Sequence, residues 1–439
     1  MKILLMLLLC ASLLPQATWA NSFVNDDNQG TAAAPQQALN PVVQWNKVLL
    51  TILRTPGAQP STIHPTRSFA IMHAAIYDAV NAIDKTHAPY AVRLNDASRN
   101  ASQDAAAATA AHDVLTALYP KFQATLDAQL QQSLAAIQDG THQQEGIAIG
   151  TEVARRILAI RSTDGSDAAL IPFVPIDAPG QYQLTPPNFP KPAFTHWSHV
   201  TPFTLRRADQ FRPGLPPSLA SDTYSDAFNE VKSLGIGNST TRTADQTVIG
   251  RFWGGAIQNY WNEIAQTASE AHHLTTAQNA RLFALLNLTA ADSVIAFYDA
   301  KYTFRFWRPV TAIRAADTDG NPETAADPNW LPLPVNTAGD PSYPGAHSAI
   351  SFASAFVLRS FFKSDHFTFN VTSEVLPGVE RSFTRFSAAA TEAGLSRIFA
   401  GQHFRFDHVA GLHLGESVAD FVTDHFLGRR ESDDERGDR

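Results

Sequence analysis

From Pro41 onward the apolar positions recur with a helical period. Phe69, Met72, Ile76, Ala79 and Ile83 fall three or four residues apart and mark one amphipathic helix, which also carries His73 and Asp78. His73 reads as a packing histidine of that helix. Residues 105–118 are alanine-rich and predict a helix that Pro120 stops. Residues 122–137 and 146–161 continue the pattern. Residues 276–307 read as long helices turning Leu282, Leu285, Ile295 and Phe297 inward. Another helix is expected to start near His347 and run through the apolar residues 350–362, and a last one to cover 407–426. No stretch shows convincing period-two alternation, and no repeat is visible. The expected fold class is all-α.

Residues 168–217 break the pattern. Prolines cluster there, with Tyr182, Trp197, Phe203 and Phe211 between them. Aromatic side chains need somewhere to pack, so an ordered loop is expected rather than a linker. It either divides an N-terminal helical half (41–217) from a C-terminal one (218–427), or walls a site. At the start, Lys2, an apolar stretch over 3–14 and Thr18-Trp19-Ala20 read as a signal peptide over residues 1–20, which places the protein outside the cytoplasm, secreted or periplasmic. Residues 21–40 read as a flexible lead-in and 428–439 as a charged, disordered tail.

Composition narrows the chemistry. The chain has 439 residues, 44% of them hydrophobic, ample for a large core. The net charge of −8, with both signs interspersed, argues against a nucleic-acid partner. Cys10, in the signal segment, is the only cysteine, so no disulfide, haem-thiolate or iron–sulfur centre is expected in the processed chain. No run after the signal segment looks long and apolar enough to span a bilayer. His272 and His273 are adjacent and diverge by about 100° on a helix, so they read as surface residues. Of the four Asn-X-Ser/Thr sequences, at Asn100, Asn238, Asn287 and Asn370, Asn287 falls in a helix expected to be buried.

Three segments concentrate ionisable groups among apolar neighbours: Lys301 to Arg308-Pro309, Tyr343-Pro344-Gly345-Ala346-His347-Ser348, and Ser396 to Asp407. Each alone has an ordinary explanation as surface charge or a structural histidine. Together, Lys301, Arg308 and Arg397 would repel one another unless a multiply charged anion sat between them. A tetrahedral oxyanion such as phosphate or vanadate matches arginine forks. A histidine beside it can attack it, ligate it or shuttle protons. On a helix, Lys301 and Arg308 would share a face. So would His403 and Asp407, letting the carboxylate reach the imidazole or a nearby backbone group. The helix start before His347 would aim free N–H groups at the anion.

The order and spacing of these segments resemble the vanadium-dependent haloperoxidases and the type-2 phosphatidic-acid phosphatases, which share one active-site plan. Lys301, Arg308 and Pro309 match the first block of that plan, and Ser396, Arg397, His403 and Asp407 the third. In the second, Pro344 and His347 match, whereas Gly345 stands where serine is usual and Ala346 where glycine is usual. The similarity extends to Trp45-Asn46, to residues 68–80 around His73, and to residues 242–253, covering most of 41–426, and is nearer to bacterial haloperoxidase-like members.

The resemblance implies two helical bundles, with the site in the C-terminal one, and vanadate as cofactor. By the same resemblance His403 would be the metal ligand, and Lys301, Arg308 and Arg397 would neutralise the oxygens. Backbone N–H groups of Gly345 and Ala346 would assist, His347 would act as acid–base group, and Asp407 would orient His403. Peroxide, polarised by Lys301, would pass an oxygen to a halide, giving hypohalous acid or a halogenated organic acceptor. The alternative is a phosphoesterase in which His403 attacks a phosphoester and His347 protonates the leaving group. A third reading is an oxyanion-binding protein without turnover. Gly345 bears on it, since a missing serine hydroxyl removes a hydrogen bond worth about 1 kcal/mol.

Overall fold

The structure, a computed structural model, describes residues 40–138 and 140–430. The expected signal segment with Cys10, the expected lead-in up to residue 39 and residues 431–439 of the expected tail lie outside the described residues. Residues 428–430, expected to be disordered, are placed: Arg429 bridges His87 and the Arg430 N–H donates to the Thr86 carbonyl at 3.1 Å.

Helices dominate. α1 (Pro41–Arg54) opens on Pro41, with the Asn40 side chain accepting the Val42 N–H at 3.0 Å. α2 (Pro65–Asp84) is buried almost throughout. α3 (Gln103–Leu118), α4 (Gln123–Ala135) and α5 (Thr141–Arg161) complete the first group; α5 starts ahead of the expected Gly146. The second group contains α6 (Asp222–Gly235), α7 (Ala244–Phe252), α8 (Ile257–Ala271), α9 (Thr276–Phe304), α10 (Pro309–Arg314), α11 (Ala346–Phe362), α12 (Phe386–Phe399) and α13 (Arg405–His425). α3 packs on α5 and α2, α2 on α9, α9 on α11 and α13, and α11 on α12 and α13. α9 therefore lies against both groups.

α9 corrects one expectation. Its 29 residues are long and apolar enough to cross a bilayer by length and composition, but its most apolar window is 94% buried against other helices. Central placement in a helical core accounts for that apolarity. A second correction is a small antiparallel sheet, β1 (His366–Thr372) and β2 (Glu380–Arg385), in which Phe369 faces Phe383. β1 alternates strictly, with Phe367, Phe369 and Val371 on one face and polar residues between them, a period-two signal that the sequence reading passed over; β2 turns only Phe383 inward.

α11 and α13 approach each other closely. A side chain on Gly411 would collide with the Gly345 carbonyl, and one on Gly415 with the Ala349 carbonyl. Glycine at these two positions lets α13 lie against the start of α11.

The proline-rich segment is ordered, as expected. Its Tyr182, Trp197 and Phe203 are buried. Asp292 on α9 accepts the N–H groups of Phe203, Thr204 and Leu205 at 2.6–2.9 Å. Asp78 on α2 does the same for Tyr90, Ala91 and Val92 at 2.6–2.8 Å. The loop then braces the two segments that follow α9. Tyr182 N–H meets the Arg305 carbonyl at 2.6 Å, and Ala193 N–H meets the Gly339 carbonyl at 2.7 Å. The Tyr343 hydroxyl donates to the Gly214 carbonyl at 2.9 Å.

His73 is a core residue, its ring stacked on Phe283 and its Nε2 2.8 Å from Asn46 Oδ1. His272 and His273 are exposed. Asn287 is buried and pairs with Asn262 at 3.0 Å.

Candidate active site

The three sequence segments converge, by a route that differs from the helical one expected. α9 ends at Phe304, because Arg305 turns into the left-handed region at φ 52°. Lys301 sits in its last turn, fully buried, whereas Arg308 caps α10 beyond the break. They share no helix face; the change of direction brings them together. Lys301 Nζ donates to the carbonyls of Pro341 and, at 3.2 Å, Ser342, and stands 3.6 Å from Asp340 Oδ1. Arg308 Nε donates to the Asp340 carbonyl at 2.8 Å, and its terminal nitrogens reach Asp340 Oδ1 and, at 2.9 Å, the Gln402 carbonyl. One guanidinium thus ties Asp340, three residues before the second segment, to the third.

His403 precedes α13 instead of lying on it. Asp407, in the first turn, caps that helix by accepting the Phe404 N–H at 2.9 Å. The same oxygen accepts from the Ser342 hydroxyl at 2.5 Å and lies 3.1 Å from His403 Nδ1. Arg308 approaches His403 Nε2 at 3.1 Å. A guanidinium only donates, so Nε2 is the lone-pair nitrogen and the proton resides on Nδ1, facing Asp407. The Asp407 contact therefore comes from a cap, not from helical spacing.

His347 lies in the first turn of α11, half-buried, with Nε2 donating to the Trp253 carbonyl at 2.9 Å. Arg397, in the last turn of α12, is half-buried, yet its Nε is enclosed without a hydrogen-bond partner. The Gly345 N–H, expected to face an anion, donates instead to the Asp407 carbonyl at 2.8 Å. Of the expected pair, only Ala346 keeps a first-turn N–H of the kind that finds no partner within its helix. A Cβ on Gly345 would lie 3.1 Å from that same Asp407 carbonyl oxygen, so the tight approach of α13 leaves a serine little room.

Residues 281–431 match the family described as the VCPO second helical-bundle domain, and they contain all three segments. Vanadium chloroperoxidase of Curvularia inaequalis is 26% identical, the match covering 84% of this chain and 79% of the relative. A crystal structure described as the first bacterial vanadium-dependent iodoperoxidase superposes with a TM-score of 0.73 at 25% identity, covering 89% of this chain and 96% of the other. The chain is thus similar in sequence and fold to vanadium-dependent haloperoxidases. An apo-type bacterial vanadium-dependent chloroperoxidase shares the fold, with a TM-score of 0.63 at 15% identity over 86% of this chain and 97% of the other.

The electrostatics of the site suit an anion. Burial, then the neighbouring Arg308, Lys301 and Arg397, push His403 far below the ordinary histidine range. Burial and the Arg397 charge do the same to His347. Both rings are neutral at pH 7. Burial lowers Lys301 to about 8 against the opposing pull of Asp340, and lowers Arg397 to about 10, with Arg308 adding to the effect. Burial raises Asp407 to about 6. Burial also acts to raise Asp340, but Lys301 and Arg308 outweigh it and hold that carboxyl below the usual range. Three cations and two carboxylates leave a net charge of 3 − 2 = +1 in a largely closed site.

Vanadate fits this arrangement: an enclosed Arg397 Nε lacks an acceptor, a first-turn N–H opens α11, and one imidazole presents a lone pair. Among the described residues no group of three or more His, Cys, Asp or Glu that could hold a metal ion converges. A separate cleft of about 540 Å³, with Phe173, His199, Asp299, Tyr302 and Arg305 among its lining, shares no lining residue with the cation cluster.

Sequence reasoning missed Asp340 and Ser342. Neither carries a periodic signal. The imbalance of three cations against one recognised carboxylate was the available hint, since buried charges are rarely left unpaired.

Proposed function

We propose that the protein is a vanadium-dependent haloperoxidase, with its site at Lys301, Arg308, Ala346, His347, Arg397 and His403. The observation that carries this reading is the His403 ring, held neutral with its Nε2 lone pair turned toward Arg308 within the cluster of three cations. Vanadate held there supplies a Lewis-acidic centre that activates hydrogen peroxide to oxidise a halide to hypohalous acid or halogenate an organic acceptor. His403 Nε2 is the ligand, and Asp407 keeps the Nδ1 proton in place. Lys301, Arg308 and Arg397 neutralise oxyanion charge, joined by the Ala346 N–H. His347, whose Nε2–H is tied to Trp253, offers Nδ1 to take a proton from entering peroxide. The pattern of residues 1–20 supports export of the protein.

The test is to assay protein reconstituted with orthovanadate, using peroxide and each halide in turn, beside a chromogenic phosphate ester. Vanadate-dependent halogenation is expected, and His403→Ala should lose it together with vanadate binding. Failure with every halide alongside brisk ester cleavage would replace this reading with the phosphoesterase one; oxyanion binding with neither reaction would leave a passive binder.

A further inference from the structure

We propose that Asp340 is a resident anion of the site: its carboxylate holds Lys301 and Arg308 until an entering tetrahedral oxyanion displaces it from them. This rests on the reading of the cluster as an oxyanion site. Asp340 Oδ1 lies 3.6 Å from Lys301 Nζ and accepts a hydrogen bond from Arg308. Among the described residues neither cation forms an ion pair with any other carboxylate. Each of the three Arg308 nitrogens has a partner, using four of the five guanidinium N–H groups. Nε and one terminal nitrogen go to Asp340, and the other meets the Gln402 carbonyl and the His403 lone pair.

Arg397 differs. It has no ion pair among the described residues, and its Nε is buried and unpartnered. Two of the three cations are thus occupied internally and one stands open. An oxyanion can start on Arg397, but where it approaches Lys301 and the Arg308 terminal nitrogen facing Asp340 it competes with that carboxylate for the same cations. The other carboxylate does not compete in this way. Asp407 spends one oxygen on His403 Nδ1, the Ser342 hydroxyl and the Phe404 N–H, on the side of the ring away from Nε2. Asp340 also subtracts from the field: without it the net charge rises from +1 to 3 − 1 = +2. Asparagine keeps the side-chain shape and one acceptor oxygen for Arg308 while removing the charge.

The experiment titrates full-length vanadium-free protein with tungstate and with orthophosphate by calorimetry, comparing wild type with Asp340→Asn. Affinity is expected to rise at least about tenfold in the variant for both probes, from the removal of one like charge within contact distance of the anion's donors. Arg397→Ala in either background should abolish binding, which places the heat at this site. Unchanged or weaker binding by D340N, with wild type binding, overturns the resident-anion role and leaves Asp340 a positioning residue. Absence of binding by both proteins overturns it together with the oxyanion reading. Should D340N not fold, the crystal structure of tungstate-loaded wild type decides: an opened Arg308–Asp340 contact supports the proposal, and a retained one beside the bound anion overturns it.

Discussion

An ammonium group without water around it gives up its proton early. Lys301 is fully buried, and burial lowers its pKa to about 8 although Asp340 opposes the shift. It is therefore charged below about pH 8 and neutral above, so the site loses one unit of positive charge as pH rises through that value. Tungstate, which stays a dianion from about pH 7 to 9, should bind progressively more weakly over that window, with net proton uptake on binding at the upper end. Calorimetry in buffers of different ionisation enthalpy measures that uptake. A flat affinity, or proton release, would contradict the assignment. Lys301→Met should bind weakly throughout and lose the pH dependence.

At the level of elements, the site is built at ends. Lys301 and Arg397 occupy last turns, Arg308 is a cap, and His347 and Asp407 occupy first turns. Helix ends carry unpaired backbone groups and changes of chain direction, which lets side chains from the ends of five helices meet. The junction between α11 and α13 depends on glycine. Gly411→Ala would drive a methyl into the Gly345 carbonyl, which is backbone and has little freedom to retreat. A loss of about 1–3 kcal/mol is expected, seen as a lower thermal midpoint. Because Gly345 also donates to the Asp407 carbonyl, oxyanion affinity should fall with it. Unchanged stability and affinity would show that the helices can part there freely.

Across the whole molecule, the loop over residues 168–217 connects the core to the site. Asp292, deep in α9, holds Phe203, Thr204 and Leu205 by their N–H groups, and the same loop contacts Arg305, Gly339 and Tyr343 through Tyr182, Ala193 and Gly214. Asp292→Ala would strand three buried N–H donors and the Thr204 hydroxyl, at a cost of about 3 kcal/mol or more. The expected result is faster proteolytic cleavage within 170–215 and weaker oxyanion binding, although no altered atom lies in the site. Wild-type cleavage rates in that variant would show that the aspartate merely fills space.

Much of this was legible in residue order. Period and caps marked the helices, because an amphipathic face must repeat every three to four residues whatever it packs against. The α9 helix, the histidine of α2 and the charged segments at 301–308, 343–348 and 396–407 could all be read that way. The turn at Arg305 could not, so Lys301 and Arg308 were expected on one helix. Nor could the capping role of Asp407, since a spacing of four fits a helix and a cap alike. Asp340, Ser342 and the engaged Gly345 N–H are decided only in three dimensions. Which carboxylate neutralises a buried cation, and which N–H groups remain for a ligand, depends on which distant segments the core presses together.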